Sequence, residues 1–172
     1  MRATFSLLPV LALAACASAP PAPSEVPDNL KPPAGQVLQL EALASGVQIY
    51  DCAAKADGSG PAWAFRAPEA TLADRRSNPL GKHYAGPTWE APDGSRVVGE
   101  VKERAPSPTP ATAIPWLLLA AKSNSGTGVL AEVRSIQRLQ TGGGVEPAEK
   151  CTTEKLGQSA RVAYTALYNF YR

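Results

Sequence analysis

One histidine and three cysteines are all the imidazole and thiol chemistry that this 172-residue chain contains. A zinc or copper centre takes three or four nitrogen and sulfur ligands, so no such metal site is expected. No Asp-rich loop with calcium-binding spacing occurs, and neither G-x-S-x-G nor C-x-x-C is found. A Ser-His-Asp set would have to recruit His83 with a serine that no motif marks. No basic stripe or run of like charges appears and the formal net charge is +2. Nucleic acid and acidic lipid surfaces are therefore poor candidate partners. Nothing in the sequence asks for a cofactor.

What is present begins at the N-terminus. Met1 to Cys16 carries one positive charge at Arg2, then an apolar run from Phe5, then small residues. That is the layout of a secretory signal peptide, too short to span a bilayer. Leu13-Ala14-Ala15-Cys16 resembles the lipobox of bacterial lipoproteins, in which cleavage precedes a cysteine that then carries acyl chains. Two or three chains, at about 0.8 kcal/mol per buried methylene, hold a protein on a membrane essentially permanently. Ala17 after the cysteine, rather than Asp, resembles lipoproteins sorted to an outer membrane. The expected organisation is a signal peptide over 1–15, a lipidated and Pro-rich tether over 16–33, and a globular domain over 34–172. The tether favours extended polyproline conformations at roughly 3 Å per residue.

About 140 residues then remain, enough for one compact domain. Export puts Cys52 and Cys151 in an oxidising setting, and a disulfide between them is the direct reading. The alternative, two free thiols doing redox chemistry, lacks the proximity that tunes such pairs. The bridge would close a loop of about 100 residues, worth up to roughly 4 to 5 kcal/mol in the chain-entropy account.

Strand signals recur along the domain. Gln36–Leu43 and Val47–Cys52 predict a hairpin or two sequential strands parted by Ser45-Gly46, and Trp63 and Phe65 alternate with Ala64 and Arg66 in a third. Asp74–Gly81 reads as a loop. Pro92-Asp93-Gly94 predicts the turn of a central hairpin, Tyr84–Ala91 with Arg96–Val101. Glu103–Pro110 reads as a loop that ends at Pro115, because proline recurs there. Trp116–Ala121 is the most apolar run beyond the N-terminus and short enough for a buried strand. Val129–Leu139 is ambiguous: Val133, Ile136 and Leu139 recur every three residues, as on a helix, but a strand with Val129, Ala131, Val133 and Leu139 on one face is preferred. Ala160–Arg172 has the cleanest period-two pattern, with Val162, Tyr164, Ala166, Tyr168 and Phe170 on one side. The fold class expected is mainly β: one antiparallel sandwich or barrel with long Pro/Gly loops and one disulfide.

The ordered set Tyr50-x-Cys52, Trp63, His83-x-x-Gly86-Pro87-x-Trp89, Ile114-Pro115-Trp116-Leu117-Leu118, Ile136-Gln137-Arg138 with Thr141-x-Gly143-Gly144, Cys151, and Tyr164-x-Ala166-x-Tyr168-x-Phe170-Tyr171 resembles the domain-of-unknown-function family DUF3455, made of exported bacterial and fungal proteins. The resemblance spans about Val26 to Tyr171. It implies export, a single domain and the cysteine pair, and implies no reaction.

Candidate chemistry is sparse. His83 is the one catalytic candidate, a general base with an ordinary pKa near 6.5, set against a histidine simply bonded at a strand start. Glu90, Asp93 and Glu100 cluster around the hairpin as a glycosidase pair would, but such residues are more often solvated. Gly126-Thr127-Gly128-Val129-Leu130-Ala131 matches a short dinucleotide fingerprint, without room for the doubly wound sheet it needs. The ligand-binding candidates are His83, Tyr84, Trp89, Glu90 and Trp63. At least two of the three tryptophans should be core, and Trp89, beside the turn, should be the most accessible. The expected function is a lipid-anchored envelope protein bearing a β module that binds a glycan, a lipid or another envelope protein, or serves as structure. The alternative is a small exported hydrolase using His83 with a carboxylate.

Overall fold

A computed structural model of the protein describes residues 25–172. Signal peptide, Cys16 and most of the tether lie outside the described residues. Eight strands follow in order: β1 (Leu38–Ala54), β2 (Pro61–Ala73), β3 (Pro79–Tyr84), β4 (Thr88–Glu90), β5 (Arg96–Ala105), β6 (Trp116–Ser125), β7 (Ser135–Gly143) and β8 (Ser159–Tyr171). Each pairs antiparallel with the next, and β8 pairs with β1 from Leu38 opposite Tyr171 to Asp51 opposite Ser159. Of the two architectures expected, the barrel is the one formed. β3 and β4 are short, so β2 before Ala70 and most of β5 after Val98 have no strand neighbour on that side of the wall.

β8 shows how the pattern makes the wall. Tyr164, Ala166, Tyr168 and Phe170 are buried inside, while Arg161 and Thr165 face solvent. Leu167 breaks the alternation because the outside is covered there: Leu30, Ala105, Trp116, Leu118 and Leu139 pack around it as a second cluster. β6 is consequently apolar on both faces, Leu117 and Leu119 inward and Trp116 and Leu118 outward, which is why its sequence runs W-L-L-L without alternating.

Leu30, fully buried, belongs to residues expected to be tether. It sits in a 3-10 turn, Asp28–Leu30, its carbonyl accepts a hydrogen bond from Gln137 Nε2 at 2.6 Å, and Val26 packs beside it. The tether therefore ends before residue 33: a leucine among prolines had an apolar wall to lie on.

Four further expectations are corrected. The two segments around Ser45-Gly46 are one strand, β1, of 17 residues. Gly46 does not turn the chain; a Cβ there would lie 2.1 Å from the Glu69 carbonyl oxygen and 2.5 Å from Ala70 Cα, so glycine permits a close approach of β1 and β2. The central hairpin is shorter than expected, because Tyr84 ends β3 and a turn at Ala85–Pro87, with Gly86 at φ +129°, precedes a three-residue β4. Strand structure also reaches into two segments read as loops, since β3 starts at Pro79 and β5 continues to Ala105.

The fourth correction concerns 129–139. Val129–Arg134 is neither strand nor helix but a turn folded into one end of the barrel, and β7 starts at Ser135. Leu130 and Val133, both almost fully buried, plug that end. The Pro92-Asp93-Gly94 turn forms as expected, with the Gly94 amide bonded to the Ala91 carbonyl at 3.0 Å, and it locks the plug in place. Asp93 accepts from the Ser95 amide (2.8 Å), the Ser95 hydroxyl (2.6 Å) and the Val129 amide (2.7 Å), while Ser95 Oγ accepts from the Leu130 amide at 3.0 Å. Gly128 lies so close to Asp93 that a Cβ would overlap its carboxylate, at 2.0 Å. The two glycines of the short fingerprint thus serve this packing.

Candidate functional site

The opposite end, where β1, β3, β5 and β7 finish and β2, β4, β6 and β8 begin, is not plugged. It holds a cavity of about 570 Å³ to which every strand contributes lining. The walls are aromatic and aliphatic: Tyr50 and Phe65 near the rim, Trp89, Leu117, Leu119 and Tyr168 deeper, with Ile114-Pro115 arriving from the proline-rich β5–β6 loop. Volumes of this order suit one small molecule, and an eight-stranded barrel is just wide enough to enclose one.

His83 lines this cavity and is 3% exposed. Its ring stacks on Trp89 at 4.4 Å between centroids, 10° from parallel, and meets Tyr168 edge-on at 5.1 Å. Nδ1 lies 2.9 Å from the Thr88 carbonyl oxygen. A carbonyl only accepts, so Nδ1 carries the proton and Nε2 is left as an acceptor. Burial pushes the imidazole pKa down to about 3, opposed by the bond to Thr88 and helped by the positive charge of Arg138. His83 is a neutral, sandwiched ring whose hydrogen bond goes to the backbone and not to a carboxylate. This geometry gives the hydrolase reading no support.

Of the other candidates, only Trp89 joins His83. It was expected to be the accessible tryptophan and is instead 1% exposed, because β3–β4 pairing sets it directly opposite His83 on the inward face. Trp116 is also buried, on the outer wall, so two of the three tryptophans are core. Tyr84 and Glu90 project from the other face of the same strands, where Glu90 accepts from the Tyr84 hydroxyl at 2.8 Å and pairs with Arg96 at 3.0 Å and Lys82 at 3.3 Å. The tyrosine hydroxyl and the two cations hold its carboxyl below the usual range. These two form an outer-wall cluster, not a site with His83. Trp63 stands on the β1–β2 ribbon beyond the cavity, its indole N–H donated to the Glu149 carbonyl at 2.7 Å. Beside it Cys52 and Cys151 form the expected disulfide, Cα atoms 5.4 Å apart across a sequence separation of 99. Both contacts tie the β7–β8 loop to the ribbon over the mouth.

The sequence reading missed Gln48, Tyr50, Tyr164, Tyr168 and Arg138 as site residues. Gln48 lies inside, 2% exposed, between two apolar neighbours. Tyr50 donates its hydroxyl to the Gly144 carbonyl at 2.6 Å. The Tyr164 and Tyr168 hydroxyls are near enough to influence each other's titration, and burial first of all raises both pKa values. Yet neither hydroxyl makes a well-formed hydrogen bond among the described residues, and neither do Gln48 Nε2 or Trp89 Nε1. Buried polar groups without partners cost about 1–3 kcal/mol each, and three of these four belong to residues lining the cavity. Arg138 donates Nε and Nη2 to the Pro115 carbonyl at 3.1 and 2.9 Å. Among the described residues no group of three or more His, Cys, Asp or Glu side chains gathers as a metal site would need.

No curated protein and no solved structure matches this chain. A family model matches residues 33–172, from the segment before β1 to the last residue of the chain, and its description is a protein of unknown function. With the match covering the whole barrel, the chain belongs to the family DUF3455.

Proposed function

We propose that this chain is a ligand-binding module of the cell envelope, held on a membrane by acyl chains on Cys16 and taking one small, largely apolar molecule into the open end of its barrel. The observation that carries the reading is the cavity of about 570 Å³ whose lining residues Gln48, Trp89 and Tyr168 keep buried polar atoms without partners. Convergent polar groups in an apolar-walled cavity are what a binding site for a small molecule uses to orient it. The buried, stacked His83 speaks for binding over hydrolysis.

The anchor fits the same arrangement. Leu30 rests on the outer wall beside Ala105 and Trp116, where β5 ends and β6 begins, and Asn29 donates to the Arg104 carbonyl at 3.3 Å. The chain therefore leaves the barrel at its open end. From Glu25 back to Cys16, at about 3 Å per residue, the tether reaches roughly 30 Å. An acylated Cys16 would keep the mouth within that distance of the bilayer.

Trp89 is the reporter for the test, because Trp63 and Trp116 lie outside the cavity lining. Titrating the domain with small apolar and amphipathic probes should change tryptophan emission saturably, with the change lost in Trp89→Phe and retained in Trp116→Phe. Saturable binding that survives in Trp89→Phe and is lost in Trp116→Phe would move the site off the cavity and overturn the reading.

A further inference from the structure

The lining of this cavity has cations and no anions, and Glu146 stands in an adjoining pocket that shares Tyr50 and Arg104 with it. Arg66, Arg104 and Arg138 line the cavity itself, and no Asp or Glu does. Arg66 is matched, 3.3 Å from Asp51. Arg104 and Arg138 have no carboxylate within salt-bridge distance among the described residues, although nine other ion pairs form there. The undescribed residues 1–24 contain no Asp or Glu that supplies one.

Arg138 is the better placed of the two. A guanidinium has five N–H donors in a rigid fork. The Nε and Nη2 bonds to Pro115 use two of them and fix the plane of the group at the cavity wall. Both Nη1 protons and the second Nη2 proton remain, which is the end-on edge that takes a carboxylate with two parallel bonds. The charge also reaches inward: burial dominates each shift, and Arg138 contributes at His83, Tyr164 and Tyr168 and, against the stronger opposing charge of Glu146, at Tyr50. Tyr168 stands opposite it in the β7–β8 register, and Gln48 lines the same cavity; both can donate.

Resting on the binding role proposed above, we infer that the ligand is an organic monoanion, a carboxylate on an apolar body, whose charged end is held by Arg138 with Arg104 at the rim. Its body lies against Leu117, Leu119, Trp89 and Tyr168. His83 Nε2, an acceptor on the same wall, favours a body that carries a hydroxyl or amide N–H. Such anions reach an envelope protein from two sources, acyl chains released from a bilayer and soluble ring-bearing acids, and both present the same head group.

The test compares ligands that differ only in charge. Calorimetry on the full domain with 3-phenylpropanoate, with its neutral amide 3-phenylpropanamide, and with decanoate should show the carboxylates binding about tenfold to a hundredfold more tightly than the amide, the range expected for charge-assisted hydrogen bonds. Arg138→Gln should abolish that preference. Arg104→Gln, which keeps the backbone carbonyl that Asn29 bonds and removes a side chain with no hydrogen bond among the described residues, should weaken it without disturbing folding, and guards against misfolding in the first variant. Decanoate binding more tightly than phenylpropanoate assigns the acyl source, and the reverse order the soluble one. Equal affinity for acid and amide, unchanged in both variants, would overturn the anion assignment and leave the binding module standing. No binding by any of the three, with no response of Trp89 to neutral apolar probes, would overturn both.

Discussion

Lowering the pH from 7.5 to 5 titrates one side chain in this protein whose folded and unfolded pKa values differ in that window. His83 is the only histidine. In the folded barrel burial holds its pKa at about 3, and in the unfolded chain it returns to about 6.5. The unfolded state thus binds a proton that the native state refuses, and stability must fall as pH falls below 6.5. The contribution is fully present above pH 6.5 and is lost progressively down to about pH 3. Each unit costs about 1.4 kcal/mol, so at pH 5 the loss is about 2 kcal/mol. The carboxylates whose pKa values are lowered by partners, among them Glu69, Asp74, Glu90 and Asp93, act in the same direction, but with reference values of 3.8 and 4.5 their window lies lower. Urea unfolding at half-unit intervals between pH 7.5 and 5 reads the slope directly. His83→Phe keeps the stacked ring and removes the titration. It should be less stable than the wild type at pH 7.5, because the Thr88 carbonyl loses its donor, and nearly flat over the same range. Parallel pH profiles for the two proteins, or an imidazole seen by NMR to titrate near 6.5 in the folded state, would refute the reasoning.

Leu130→Ala should cost about 3 kcal/mol in urea unfolding with an unchanged m-value, since it truncates a fully buried plug side chain whose turn is held by hydrogen bonds and has little freedom to collapse. A loss under about 1 kcal/mol would mean that the plug is not packed. Reducing the Cys52–Cys151 bridge, or replacing both cysteines by serine, should lower stability by up to roughly 4 to 5 kcal/mol, read as a shift of the unfolding midpoint. Coincident unfolding curves with and without reductant would count against it. Cys16→Ser should release the protein from the membrane fraction into the soluble one, and retention would exclude the acyl anchor.

The parts legible in the sequence were those written in local spacing. Alternation in β8 identified the inward Tyr164, Ala166, Tyr168 and Phe170 because a strand's two faces meet two solvents. Pro92-Asp93-Gly94 announced a turn because its φ requirements are properties of those residues alone. Gly46 was misread for the complementary reason: glycine marks both a turn and a close approach, and only the position of Ala70 decides between them. The three-residue spacing of Val133, Ile136 and Leu139 was real and meant something else. Val133 comes from the plug, Ile136 points into the barrel, and Leu139 points out to the cluster around Leu30. For the site, histidine and tryptophan drew attention as rare residues and did meet in the cavity. Arg138 and Gln48 carry no local mark, since a solvated arginine and an inward one look the same until the barrel closes around them.

The two ends of the barrel differ in what their buried polar groups face, a packed turn at one and a cavity at the other, and this difference is a physical reason to place function at the mouth. At the plugged end Ser95, fully buried, donates to Asp93 and accepts from Leu130, Asn124 Nδ2 donates to the Leu130 and Val133 carbonyls at 2.9 and 3.1 Å, and Gln39 donates to the Val129 carbonyl while its own Oε1 has no partner among the described residues. A sequence selected for stability alone would finish the other end in the same way, with larger apolar side chains in place of Gln48 and His83. It carries an amide, an imidazole and two tyrosines there instead, and Arg104 and Arg138 have no carboxylate within salt-bridge distance among the described residues. Each of those choices costs stability in the free protein. The buried plug and the disulfide, neither of which lines the cavity, offset that cost, and on the binding role proposed above a molecule with an apolar body and a negative end would recover it.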